Sequence, residues 1–167
     1  MDPVVYHPIG VVRSPFDTPE DVPLEPSRSV DAAGRIELEA EYQDALALLD
    51  GFSHIIIVAH LHLIEGYTLG TSPPFVEGFR PGIFATRGPK RPNPIGLTVV
   101  RLIDVTDAVL HVEGLDLVDG TPVLDIKPHY PKPDEYRSLR GGWIEDNLEQ
   151  TSESCPYRRR QTFQAST

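Results

Sequence analysis

Cysteine is almost absent from this sequence, since Cys155 is the single one among 167 residues. One cysteine excludes both an internal disulfide framework and a zinc site built from cysteines. Positive charge is also scarce, because 15 Lys and Arg residues stand against 25 Asp and Glu residues, a net charge of −10. Nucleic-acid binding relies on a basic surface, so any polyanion must meet a local basic patch on an acidic protein.

Long apolar segments and export signals are missing as well. The longest strongly apolar stretch, residues 55–63, contains His60 and His62 and is too short to cross a bilayer. The first residues contain no basic region before an apolar one, so we expect no signal peptide. The sequence therefore predicts a soluble, cytoplasmic protein that does not act in a membrane.

Several widespread site motifs do not occur. There is no G-x-G-x-x-G and no G-x-x-x-x-G-K-[ST], which excludes the standard dinucleotide and P-loop phosphate sites. The nucleophile elbow G-x-S-x-G and the zinc motif H-E-x-x-H are also absent. Any chemistry must therefore come from a less common constellation.

Short strands separated by turns are the main pattern that is present. The sequence has 13 glycines and 17 prolines, and proline disfavours helix interiors. Apolar alternation and turn signals predict strands at residues 4–12, 35–41, 52–63, 83–86, 97–105, 109–112 and 121–127. Short helices are predicted at 45–49 and 144–149. We therefore expect an all-β fold, a small closed or nearly closed β-barrel with few short helices, and not a Rossmann sheet.

Three histidines lie on one face of the predicted strand 52–63. His54, His60 and His62 all occupy even positions. Shared metal ligation is possible for a pair two residues apart, but no third ligand is evident nearby. We favour hydrogen-bonding histidines at a strand end and predict no metal site.

The most unusual segment is residues 84–96, where cations and prolines alternate. Arg87, Lys90 and Arg91 place three positive charges within five residues, between prolines that stiffen the backbone. A stiff loop loses little entropy on binding, so a preorganised anion receptor is favoured over a solvated loop. Lys90, Arg91 and the nearby Asn93 are the predicted substrate-binding residues.

Acidic residues lie inside apolar runs between 114 and 128. Asp116 and Asp125 are each either hydrogen-bonded within the fold or directed at a cationic ligand, and spacing does not decide between these interpretations. Asp125 and Lys127 alternate with apolar neighbours, so both could face one polar cavity.

Four of these segments, in order, carry a family resemblance. Residues 9–16 (IGVVRSPF), 51–54 (GFSH), 84–96 and 115–128 (LDLVDGTPVLDIKP) resemble the TsaA-like (YaeB-like) domain, over about residues 4–131. Characterised members of that family are tRNA threonylcarbamoyladenosine methyltransferases. The resemblance implies a β-barrel that binds S-adenosylmethionine without a Rossmann domain, and a homodimer with the cofactor near the subunit interface.

The resemblance also implies a set of site residues and a domain boundary. Residues 1–135 would form the barrel domain, and residues 136–167, with the basic tail 158–160, a polar C-terminal extension. Bacterial members continue into a further C-terminal region, so any tRNA contact of that region is expected to be missing here. The implied cofactor contacts are Arg13, Ser14, Pro15, His62, Leu63, Arg87, Leu97, Asp116, Asp119, Gly120 and Thr121.

The expected function is methyl transfer from S-adenosylmethionine to threonylcarbamoyladenosine next to the anticodon of tRNA. Asp125 is the predicted general base, and Lys127 is predicted to orient the carboxylate of the substrate. Two alternatives stay open: a methyltransferase with a small-molecule acceptor, and a cofactor-binding regulator that transfers nothing.

Overall fold

Antiparallel β-strands form a closed barrel in the computed structural model, which describes residues 1–23, 32–73, 78–130 and 142–143. Within this part of the chain the strands are β1 (Gly10–Arg13), β2 (Ala33–Leu38), β3 (His54–His60), β4 (Ile95–Thr106), β5 (Val109–Glu113) and β6 (Pro122–His129). Short 3₁₀ helices cover Ala40–Leu46, Leu49–Gly51 and Ile83–Ala85. The predicted all-β barrel with few short helices is confirmed.

The strands follow one another around the barrel in the order β1-β2-β5-β4-β3-β6, and β6 closes on β1. The closing contact is short, with Gly10 opposite Val123 and Val11 opposite Pro122. The longest pairings join β3 to β4 and β3 to β6. The barrel is therefore closed, although most of β6 pairs with β3 alone and the first half of β4 does the same.

The core follows from strict alternation along the central strand. Ile55, Ile57 and Ala59 of β3 are fully buried, while their even-numbered neighbours point outward. Val12 and Ile36 complete the interior from β1 and β2. Period-two alternation is the property that made these strands visible in the sequence.

The predicted hairpin at residues 97–112 is confirmed, whereas other strand limits differ. Asp107 adopts the left-handed conformation, with φ of 54°, at the turn between β4 and β5. The predicted first strand, residues 4–12, is reduced to β1. Pro8 has no N–H to donate to a partner strand, and Ile9 is the residue before β1 whose N–H bonds to Val123. The alternation of residues 35–41 ends as a strand at Leu38, and the following helix begins earlier than predicted.

The prediction of a strand at residues 83–86 is wrong. Ile83–Ala85 is a 3₁₀ helix that ends at Thr86, whose hydroxyl donates to the Ile83 carbonyl at 2.9 Å. Local β-propensity of isoleucine and phenylalanine is here overridden by this hydrogen bond and by Arg91, which binds the same carbonyl at 3.1 Å.

Some predicted elements lie outside the described residues: the helix at 144–149, the tail 158–160 and most of the extension 136–167. Trp143, which falls in that extension, donates its indole N–H to the Ala85 carbonyl at 2.7 Å and lies 5.3 Å from the Phe79 ring. Among the helices of the described ranges, none combines the length and apolarity needed to cross a membrane.

Candidate functional site

The turn after β1 and the loop before β6 are joined by reciprocal hydrogen bonds. The Ser14 N–H donates to Asp119 Oδ1 at 3.0 Å, and the Asp119 N–H donates to the Phe16 carbonyl at 2.7 Å. The Gly120 N–H donates to the Val12 carbonyl at 2.9 Å. Two motifs that lie about a hundred residues apart in the sequence therefore form one structural unit.

This unit contains many of the predicted cofactor contacts. A shallow depression of about 460 Å³ is lined by Arg13, Ser14, Pro15 and Asp119. Thr121 is buried behind it, and its hydroxyl donates to the Val118 carbonyl at 2.7 Å. The structure thus brings the RSP turn and the Asp119 loop together, as a common binding role requires.

Arg13 is held by acidic side chains on both sides. Its Nε donates to Glu37 Oε2 at 2.8 Å, and Asp119 Oδ2 lies 3.7 Å from its Nη1. Glu37 Oε1 also accepts from Arg35 Nε at 2.7 Å. The hydrogen bond from Arg13, followed by that from Arg35, lowers the pKa of Glu37, and the same contact with Glu37 raises the pKa of Arg13.

Sequence reasoning missed Glu37 as part of this site. Alternation had placed Arg35 and Glu37 on one exposed strand face, which correctly predicts that they are neighbours. The register that sets Val11 of β1 opposite Glu37 is a long-range property. Nothing in the local sequence shows that Glu37 reaches Arg13.

Asp116 differs from the other acids because one of its oxygens lacks a partner. Its Oδ1 atom is buried and accepts no hydrogen bond from the residues that the structure describes. The neighbours Leu115 and Leu117 are buried in the core. Leaving a buried acceptor unpaired costs about 1–3 kcal/mol, so this oxygen is suited to a donor that a ligand brings.

A close contact at Gly96 connects this loop to two further motifs. A Cβ on Gly96 would lie 2.7 Å from Leu61 Cδ2 and 3.6 Å from Leu117 Cδ2, so the strand approaches closely only without a side chain. The Leu61 N–H also donates to the Pro94 carbonyl at 2.8 Å. The sequence neighbours of Leu61, Gly96 and Leu117 include four predicted contacts: His62, Leu63, Leu97 and Asp116.

The proline-rich loop is tied together by one of its own cations. Arg91 Nη1 donates to the carbonyls of Ile83 at 3.1 Å, Thr86 at 2.9 Å and Gly88 at 3.4 Å. Its guanidinium also lies 5.5 Å from the centre of the Phe84 ring. Arg91 therefore stabilises the loop from within, a role additional to the predicted substrate contact.

Arg87 lies in this loop between Thr86 and Gly88, and the carbonyls of both neighbours accept hydrogen bonds from Arg91. The Thr86 hydroxyl accepts from the Gly88 N–H at 3.3 Å, so the backbone on both sides of Arg87 is fixed. Its exposed guanidinium makes no hydrogen bond or ion pair with the described chain. A fixed backbone with a free cation is the arrangement expected for an anion-binding arginine.

The predicted catalytic residues form a pair on the outer face of β6. Lys127 Nζ lies 2.6 Å from Asp125 Oδ2, and both side chains are about half exposed. Asp125 is opposite Val58 of β3, which is opposite Leu97 of β4. Adjacent strands lie about 4.8 Å apart, so the Cα atom of Asp125 is roughly 10 Å from that of Leu97 on the same face.

The remaining predicted residues are exposed on the proline-rich loop or at a strand end. Lys90 and Asn93 are both solvent-accessible. His60 is the last residue of β3, and His62 lies in the turn beyond it. In the ranges that the structure describes, no group of three metal-binding side chains comes together.

Comparison with known proteins places this arrangement in a family. The sequence matches the tRNA-methyltransferase O N-terminal domain over residues 11–135, well over half of its length. The chain belongs to this family. The TsaA-like resemblance of the four motifs is thereby confirmed.

The individual relatives agree with the family match. A probable S-adenosyl-L-methionine-binding protein of Pyrococcus abyssi is 41% identical over 87% of this chain and 78% of its own length. The tRNA (adenine(37)-N6)-methyltransferase of Escherichia coli is 41% identical over 78% of this chain and 60% of its own length. The crystal structure of TrmO from Pseudomonas aeruginosa aligns with a TM-score of 0.70 at 35% identity, covering 85% of this chain and 63% of that one. The chain thus spans less than two thirds of the last two proteins.

Proposed function

We propose that this chain is an S-adenosylmethionine-dependent methyltransferase whose acceptor is threonylcarbamoyladenosine next to the anticodon of tRNA. The observation that carries the proposal is the docking of the Asp119 loop on the RSP turn, in a loop whose Asp116 keeps a buried oxygen without a partner among the described residues. The relatives named for cofactor binding and for methylation of adenine in tRNA support the reaction class. A tRNA acceptor would place the protein in the cytoplasm.

The residues present suit this cofactor. The buried Asp116 Oδ1 needs a hydrogen-bond donor, and the amino group and ribose hydroxyls of S-adenosylmethionine are donors. Arg87 has an unused guanidinium that can bind the methionyl carboxylate in a bidentate manner. When bound, the cofactor supplies a methyl group attached to a positively charged sulfur.

The work left to the protein is positioning and proton removal. Transfer needs an in-line approach of the acceptor nitrogen and the exclusion of water. Methylation of that nitrogen would also displace its proton, which a side chain of the protein must accept. Asp125 would accept this proton, and Lys127, 2.6 Å away, can bind the threonyl carboxylate after exchanging partners. Exposed ion pairs exchange partners at little cost.

Labelled methyl transfer tests the proposal directly. The protein is incubated with methyl-labelled S-adenosylmethionine and either total tRNA or tRNA that lacks the threonylcarbamoyl group. Label in the first sample alone is the expected result. Label in both samples would overturn the proposed acceptor, and cofactor binding without any transfer would overturn the enzyme and favour a regulator.

The catalytic role of Asp125 has its own matched test. Asp125→Asn should lower the rate of transfer about a hundredfold, the lower range for loss of a general base. Asp107→Asn is the control, because asparagine tolerates the left-handed backbone of this exposed turn. A rate for Asp125→Asn equal to that of the control would exclude Asp125 as the base.

We also propose that two chains pair through the outer face of β4. Apolar side chains are exposed at every second position there, interrupted by Arg101. The exposed apolar residues are Ile95 at 44%, Leu97 at 54%, Val99 at 42% and Ile103 at 48%. An apolar face of this kind favours burial against a partner surface. Since Leu97 is also a predicted cofactor contact, pairing would set the cofactor near the subunit interface.

Light scattering tests the pairing. The wild type with cofactor should have twice the chain mass, and Val99→Glu should give monomers because it buries a charge in the interface. Val5→Glu makes the same change at an exposed position outside the barrel strands and should stay dimeric. A monomeric wild type would overturn the proposal.

A further inference from the structure

A second concave surface lies outside the predicted cofactor contacts, between residues 68–72 and 80–90. It is a cleft of about 430 Å³. Its polar lining residues are Thr68, Thr71 and Ser72, which carry hydroxyls, and Arg80 and Lys90, which carry positive charge. Acidic side chains are absent from the lining formed by the described residues. The cleft therefore presents hydrogen-bond donors and positive charge together.

The two walls of the cleft are fixed by backbone hydrogen bonds. The Thr68 N–H donates to the Lys90 carbonyl at 3.2 Å, and the Thr71 N–H donates to the Pro81 carbonyl at 3.1 Å. These two bonds hold residues 68–72, which carry the hydroxyls, against residues 80–90, which carry the cations. Such a framework is preorganised, which lowers the entropy lost when a ligand binds.

Gly70 and Arg80 lie next to each other in the lining of the cleft. A Cβ on Gly70 would lie 3.4 Å from Arg80 Nε and 3.1 Å from the Pro81 carbonyl. The second distance is tight for a Cβ atom, whereas the first is close to ordinary contact. The backbone at Gly70 therefore approaches the segment that carries Arg80 closely.

Neither cation of the cleft has an acidic partner among the described residues. Arg80 and Lys90 make no hydrogen bond or ion pair with their side chains in these ranges. This is unusual on a chain of net charge −10. Two cations without an acidic partner in the described part of the chain give a local positive potential that attracts an anion.

We propose that this cleft binds a phosphate of the RNA backbone. Arg, Lys, Ser and Thr side chains are the groups that contact phosphate oxygens in nucleic-acid complexes, and these contacts set register without reading sequence. Gly88 lines the cleft and directly follows Arg87 in the sequence, so the phosphate would lie next to the predicted cofactor contact. The proposal rests on RNA being the acceptor, and it adds a subsite that positions the strand.

RNA binding at varied salt tests the subsite. The full chain and the variants Arg80→Gln, Lys90→Gln and the double variant are titrated into a labelled anticodon stem-loop RNA. Each single variant should bind about three- to tenfold more weakly at low salt, and the double variant about ten- to a hundredfold. The slope of log affinity against log salt should fall by about 0.7–0.9 per cation. The loss should be equal for a stem-loop of another sequence.

Val5→Glu is the control for net charge, because it makes the chain one charge more negative at an exposed position outside the barrel strands. It should leave the RNA affinity close to that of the wild type. Melting temperatures should be unchanged in all variants. Equal losses of RNA affinity in Val5→Glu and Arg80→Gln would show an effect of net charge alone and overturn the subsite, as would a loss confined to one RNA sequence.

Cofactor titration separates this subsite from the cofactor site. Calorimetry with S-adenosylmethionine should give the same affinity for the double variant and the wild type. Weaker cofactor binding with unchanged RNA binding would overturn the proposal by assigning the cleft to the methionyl carboxylate. Failure of the proposed function is a different result: a wild type that binds RNA but transfers no methyl group.

Discussion

Two groups of cations on this acidic chain differ in what surrounds them. Arg13 and Arg35 share the carboxylate of Glu37, at 2.8 and 2.7 Å. Arg80, Arg87 and Lys90 have no acidic partner in the described part of the chain. Each of these residues carries one positive charge in the sequence, but Glu37 compensates the charge of the first group, whereas the charge of the second stays available to a ligand.

The difference lies in the local framework. The paired arginines project from β1 and β2, where alternation also places a glutamate on the same exposed face. Arg87 and Lys90 lie on a loop whose backbone is fixed by carbonyl contacts of Arg91 and by the hydroxyl of Thr86. Because Arg91 binds the backbone carbonyls within the loop, the charges of Arg87 and Lys90 stay available for a ligand. Net charge therefore says little about where an anion binds.

The largest effect is expected from removing the free cation at the loop tip. Arg87→Ala should weaken S-adenosylmethionine binding about ten- to a hundredfold, since a charge-assisted hydrogen bond contributes roughly 1.5–3 kcal/mol. Its melting temperature should be unchanged, because the side chain makes no hydrogen bond or ion pair with the described residues. Calorimetric titration and thermal melting give both values.

Arg101→Ala is the paired counterpart of that variant. Its arginine bonds to Glu113 on the neighbouring strand. Because Arg101 lies on the proposed pairing face of β4, light scattering must show that the variant keeps the wild-type mass. Cofactor affinity should match that of the wild type. If Arg87→Ala also bound the cofactor like the wild type, the distinction between free and paired cations would not predict the site.

An intermediate effect is expected from Arg91→Ala. This change removes the donor to three carbonyls, so we expect a loss of about 1–2 kcal/mol in the free energy of unfolding and a Tm lower by about 2–8 °C. Cofactor affinity should fall a few-fold because Arg87 loses its fixed backbone. An unchanged Tm and cofactor affinity, with weaker RNA binding alone, would support the acceptor contact predicted from sequence.

Local patterns predicted the barrel strands but not how they are arranged. Alternation along β3 and the turn at Asp107 depend on neighbouring residues, so they are visible in the sequence. The circular order places β2 beside β5 and β6 beside β1, which depends on long-range pairing. The 3₁₀ helix Ile83–Ala85 was missed because it is stabilised by hydrogen bonds from Thr86 and Arg91, which follow it in the sequence.

The sequence motifs predicted one part of the site and left out another. The resemblance named Ser14 and Asp119 as one site, and a hydrogen bond of 3.0 Å joins them. It did not name Glu37 or Arg80, because their roles come from register and from a cleft formed by two loops. The roles of the individual cofactor and catalytic residues stay predictions, which the variants above address.

The smallest effect is expected in the paired group, from Glu37→Gln. Hydrogen bonds from Arg13 and Arg35 lower the pKa of Glu37, so its carboxylate stabilises the folded state above the ordinary pKa of a glutamate. That contribution is lost as the pH falls through the lowered value. The Tm difference between wild type and Glu37→Gln should therefore be largest near neutral pH, disappear once the pH has fallen below the lowered pKa of Glu37, and shrink at high salt. Arg35→Gln removes one of the two donors to Glu37, so the pKa of Glu37 is lowered less. In that background the Tm difference caused by Glu37→Gln should disappear at a higher pH. A Tm difference that stays constant from neutral to acid pH would show that Glu37 does not gain its stabilising role from the arginines.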